Sequence, residues 1–121
     1  MSTRTVRFVE LLSVKFPPLM SILAEHREDN LNEILPHVFM ADVARWAIEL
    51  FVATENKNDE RRSELLRLLE LLEDAYEREG PEIVELVSAS FLEHLPRPEE
   101  AGGRIRDLVG QRLKEQLQVI G

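Results

Sequence analysis

Cysteine is absent from the chain. Disulfide frameworks, thiolate metal sites and cysteine nucleophiles are therefore excluded. At 121 residues, stability must come from packed apolar surface. The lack of cysteine is compatible with a reducing cytosol. Long apolar runs are missing too: the longest spans a few residues, far short of the roughly 20 that cross a bilayer. Residues 1–10 hold no apolar stretch of signal-peptide length, so a cytoplasmic location is expected. Strand signals are also scarce. No stretch alternates apolar and polar residues with β-branched enrichment, and there is no Asn-Gly or Asp-Gly hairpin turn.

What is present fits an ordinary globular protein: 44% hydrophobic and 31% charged residues. That is too apolar for a disordered chain. The length suits one domain over residues 1–121. The net charge of −8 is unevenly distributed. Residues 21–100 carry twenty acidic and eight basic side chains, a net −12, whereas each end is +2. A surface of that sign repels phosphate backbones, which excludes nucleic acid as a partner, and attracts basic ones.

Helical periodicity is nearly continuous, cut by prolines and glycines. It predicts helices over 5–15, 18–29, 36–54, 60–79, 81–95 and 98–119, the last loosened at Gly102-Gly103. Leu31, Ile34 and Leu35 are expected to tuck inward between the second and third helices. The third helix is apolar nearly all round, apart from a stripe of Asp42, Arg45 and Glu49. It therefore reads as the central helix, surrounded by its neighbours, with Trp46 in the core away from the stripe. Asn58 or Asp59 is placed to cap the fourth helix. Short connections favour antiparallel neighbours, so the last four helices read as two hairpins. The fold class is all-α, a compact bundle of about six helices.

Chemistry-bearing patterns are sparse. His26 falls on the apolar face of the second helix, His37 opens the third, and His94 falls on the apolar face of the fifth, one turn after Ser90. None has the His-Glu-x-x-His spacing of a metal site. Brought together with Glu93, they would make a metal-binding enzyme or sensor. The simpler expectation is a polar side chain packed at a helix end and bonded to a backbone carbonyl. No serine sits in a Gly-x-Ser-x-Gly turn, and no phosphate-binding loop exists. Neither a catalytic residue nor a cofactor is expected.

The feature of most weight is an acidic stripe on the fourth helix. Glu70, Glu73, Asp74 and Glu77 share one side at helical spacing, and Leu66 projects into it. Like charges so placed cost roughly 0.2–0.5 kcal/mol per pair. An apolar anchor ringed by one sign of charge has the make-up of a small docking patch; a merely solvated face is the plainer alternative.

Three segments carry a resemblance: Ile34-Leu35-Pro36-His37-Val38-Phe39 through Arg45-Trp46, Val87 to Leu95 with its Ser90-Phe91-Leu92-Glu93, and Phe16-Pro17. Together, over residues 6–96, they resemble a family of small uncharacterised bacterial helical proteins similar to toxin-immunity proteins. The sixth helix lies outside the resemblance. The resemblance marks His37, Trp46, Phe91 and Glu93 and implies no active site. It implies a protein-binding module that occludes a toxin, for which a basic partner suits the acidic middle. The alternatives are the histidine metal site and a self-associating scaffold.

Overall fold

The computed structural model describes residues 3–120. Among them are six α-helices and two short 3-10 turns, and no strand. The helices are α1 (Thr3–Lys15), α2 (Pro17–Asp29), α3 (Pro36–Thr54), α4 (Glu60–Arg78), α5 (Pro81–Ser90) and α6 (Gln111–Ile120). The 3-10 turns cover Leu92–His94 and Gly103–Asp107. No helix of the described residues is long and apolar enough to cross a membrane.

Helix α3 is the central element, as its composition predicts. It touches α1, α2, α4 and α5. Phe39, Met40, Val43, Ala44 and Ala47 are fully excluded from solvent, and side chains as large as the first three contribute ~1.5–3 kcal/mol each by burial. Its exposed side is narrow, with His37, Val38, Arg45, Glu49 and Val52 exposed. The neighbours close over the rest with Phe8 and Leu12 from α1, Leu19 from α2, Leu65, Leu68 and Leu72 from α4, and Ile83 and Leu86 from α5.

The ends of these helices follow local chemistry. Phe16 precedes Pro17 and takes an extended conformation, φ −125° and ψ 94°, which separates α1 from α2. Asp59 caps α4: its carboxylate accepts from the Arg61 amide at 2.9 Å and from the Arg61 side chain. Gly80 has φ 95° and joins α4 to α5 ahead of Pro81.

The chain after α5 departs from its periodicity. Helix α5 stops at Ser90 rather than near Leu95, and a 3-10 turn follows. The tighter winding turns Leu92 and Leu95 inward together, and both are buried. His94 and Glu93 are consequently exposed, not on an apolar face. The expected sixth helix over 98–119 is also divided. Gly102 is left-handed at φ 80°, and a side chain on Gly103 would lie 2.0 Å from the Arg97 carbonyl oxygen. The segment makes a loop and a 3-10 turn there, and α6 starts only at Gln111. Helix α6 then packs on α4 and the two 3-10 turns, rather than folding back along α5 as a simple hairpin.

The link from α2 to α3 also differs. Leu31 is 93% exposed instead of tucked inward, while Ile34 and Leu35 are half-buried. Leu31 and Asn32 have φ of 55° and 65°, and this left-handed turn directs the leucine outward. The conformation costs a leucine about 1–2 kcal/mol.

The cap on α4 makes a prediction about acid. Hydrogen bonds from Arg61, side chain first and then backbone, lower the Asp59 carboxyl from 3.8 to about 2. A lowered folded-state value gives stability that is present above pH 3.8 and lost as pH falls toward 2. The Asp59 carboxyl carbon should titrate by NMR with a midpoint close to 2. Replacement by Ala should lower the urea midpoint at neutral pH and have little effect at pH 2.

Candidate functional site

Two surfaces bear on function: the acidic side of α4, marked by its charge pattern, and a groove between α2 and α3.

The α4 stripe does not stay whole. The Glu73 carboxylate accepts from the backbone amides of Arg112 at 2.8 Å and Leu113 at 3.1 Å. Those are first-turn amides of α6, which lack partners within the helix. Helix α6 is preceded by Val109-Gly110 and has no Ser, Thr, Asp or Asn at its start, so Glu73 supplies the cap from a distance and complements the positive end of the helix dipole. Gly110 makes room for it, because a Cβ there would lie 2.4 Å from Glu73 Cδ. Glu77 pairs with Arg112 at 3.8 Å. Tyr76 donates to the Gln116 side chain at 3.2 Å, and Gln116 donates to Ser88 Oγ at 3.0 Å. These bonds pin α6 to α4 and α5. Glu73 thus caps α6 and Glu77 faces Arg112 across a long, exposed ion pair, while Leu66, Glu70 and Asp74 remain exposed without such contacts. The shallow cleft beside Glu70 and Asp74 also has Lys15 and Arg67 on its rim, so its charge is mixed.

The second surface is a groove of about 500 Å³. Helix α2 lines it with Ile22, Glu25, His26, Asp29 and Asn30, and α3 with Val38, Asp42, Arg45, Trp46 and Glu49. Trp46 is half-buried and lies beside the charged stripe of α3, not away from it as the periodicity implies. Arg45 is paired with Asp42 at 2.9 Å. Among the described residues, no ion pair engages Glu25, Asp29 or Glu49. The groove therefore has four carboxylates, one paired cation and an aromatic wall.

His26 fixes the inner end of this groove. It is buried, and its ring meets Phe39 edge-on with centroids 5.9 Å apart. Its Nε2 accepts from the Leu35 amide at 2.9 Å. The partner is an amide rather than the carbonyl expected, so Nε2 carries no proton in this arrangement. Leu35 is the residue just before α3, so His26 satisfies a donor at the start of the central helix. Asn30 Nδ2 donates to the His26 carbonyl at 2.7 Å, the Asn32 amide to the Arg27 carbonyl at 2.7 Å, and Arg27 Nε to Asn32 Oδ1 at 3.1 Å. The turn that exposes Leu31 is thereby held in place.

The other sequence-marked residues have separate places. His37 hydrogen-bonds through Nδ1 to Ser90 Oγ and joins the start of α3 to the end of α5. Ser90 thus meets His37 and not His94. Phe91 is fully buried behind it. The three histidines make no shared centre, and among the described residues no group of three or more His, Asp or Glu side chains is placed to hold a metal ion. The histidine metal site therefore has no geometric support.

A family model described as a domain of unknown function (DUF7674) matches residues 9–120. The chain belongs to that family. No curated protein and no solved structure matches it. The matched region runs past residue 96 and takes in α6, which agrees with how firmly Glu73 ties that helix to α4.

Four substitutions separate the roles of these residues. Glu73→Ala should cost about 0.5–2 kcal/mol, the range for a lost helix N-cap, and Gly110→Ala should cost a similar amount by displacing the carboxylate. Glu70→Ala should stay within about 0.5 kcal/mol. His26→Phe keeps the contact with Phe39 and removes the acceptor. It should cost about 1–3 kcal/mol and speed hydrogen exchange at the Leu35 amide. Urea unfolding and amide exchange measure both.

Proposed function

We propose that the chain is a protein-binding module that captures a basic partner and acts by covering a working surface on it, as toxin-immunity proteins do. In this reading it performs no chemistry of its own. The observation that carries it is the groove between α2 and α3, where Glu25, Asp29 and Glu49, which take part in no ion pair among the described residues, share the lining with a half-buried tryptophan. Aromatic side chains within a charged rim are common energetic centres of protein interfaces. The net charge of −8 would speed encounter with a cationic surface, most strongly at low salt. The resemblance to immunity proteins supports the same class of partner. Glu70, Asp74 and Leu66 on α4 would form an outlying part of the contact.

The test is the product of the gene beside this one in its source genome. Co-expressed with it, the chain should form a complex that survives size-exclusion chromatography and should relieve any growth arrest that the neighbour causes. Association should slow about tenfold or more between 50 and 200 mM salt if steering operates. A neighbour that neither binds nor is neutralised overturns the reading.

A further inference from the structure

We infer that the groove between α2 and α3 is the docking site, and that its occupant is an arginine-bearing basic segment of the partner protein. This rests on the binding-module reading above and names the side chain recognised. The argument is one of complementarity. Glu25 and Asp29 rise from α2, and Asp42 and Glu49 from α3. Among the described residues, Asp42 alone of the four has an ion-pair partner, Arg45. Trp46 offers a partly open ring along the same wall. A guanidinium fits this setting better than an ammonium, since it stacks on an aromatic face and donates to a carboxylate through two parallel N–H groups.

A separate observation points to the same surface. Leu31 is 93% exposed on a left-handed turn that side-chain and backbone bonds hold rigidly. It follows Asn30, which lines the groove. A large apolar side chain held out in water beside an acidic groove supplies the apolar contact that charge alone would not. The occupant is thus a segment that carries arginine with an apolar neighbour.

Trp46 is the only tryptophan in the chain, so its fluorescence reports on the groove directly. The probe is a ten-residue peptide of arginine and leucine, set against versions with lysine or uncharged citrulline in place of arginine. The arginine peptide should give a saturable Trp46 signal. The lysine peptide should bind about fivefold or more weakly, and the citrulline peptide should give no saturation. Glu25→Gln with Glu49→Gln should weaken binding about tenfold, and Leu31→Ser by about fivefold. Glu10→Gln with Glu115→Gln removes the same charge from exposed positions on α1 and α6 and should change it less than about threefold. No saturable signal overturns the groove. Equal loss in the two double variants also overturns it, because net charge alone then explains binding. Equal affinity for lysine and arginine overturns the arginine assignment. A partner complex undiminished by Glu25→Gln with Glu49→Gln overturns the groove and leaves the binding-module reading standing, whereas failure of the unaltered chain to bind its genomic neighbour overturns that reading itself.

Discussion

The burial of α3 constrains everything else. A nineteen-residue helix with only a narrow polar stripe cannot lie on a surface, because the apolar area left in water would outweigh what a small domain can afford. Four helices therefore close around it. The stripe is the one side they leave open, and α2 forms the edge of that opening. The groove is thus a consequence of where the central helix is permitted to be polar. Its aromatic wall has the same origin: Trp46 sits at the border between the core-facing and water-facing sides of α3, and part of it stays accessible.

The second constraint is electrostatic. Twenty acidic side chains between residues 21 and 100 repel one another, and the basic ends of the chain relieve part of that. Arg4 donates to the Glu79 carbonyl at 2.9 Å, near the negative end of the α4 dipole, and Arg112 approaches Glu77. Glu73 is stabilised by amides instead of a cation. These contacts all gather at the C-terminal half of α4. None reaches Glu25, Asp29 or Glu49. The ends of the chain thus engage Glu73 and Glu77 of the stripe, while among the described residues Glu70 and Asp74 on α4, like Glu25, Asp29 and Glu49 on α2 and α3, take part in no ion pair.

This division explains what was legible in the sequence. Apolar periodicity and proline placement identify α1 to α4 to within two residues, because those signals are local. The central place of α3 is likewise visible, since it depends on composition alone. The chain beyond Ser90 is harder to read because its geometry is set by contacts distant in sequence. Leu92 and Leu95 turn inward against a core already built, and Gly103 packs on a carbonyl six residues earlier. The missing N-cap before Gln111 was a readable sign that α6 borrows one, but nothing local names Glu73, 39 residues away from Arg112. Leu31 misleads for a related reason. Its apolarity predicts burial, while the hydrogen bonds of Arg27, Asn30 and Asn32 decide its direction.

His26 ties the two walls of the groove together. The same ring lines the groove, packs edge-on against Phe39 in the core and accepts from the amide that opens α3. A shift of α2 relative to α3 would break that bond and leave the part-buried Leu35 amide without its acceptor, at a cost of about 1 kcal/mol. One buried side chain therefore links the helix that bears Glu25 and Asp29 to the helix that bears Asp42 and Glu49. In the proposed binding role, a surface tied together in this way would lose little conformational entropy, so more of the contact energy would be retained as affinity. The left-handed turn adds to this, since Leu31 is fixed in direction by bonds anchored on α2. A histidine that looks in sequence like a candidate metal ligand thus serves as the joint that keeps the two walls of the groove in register.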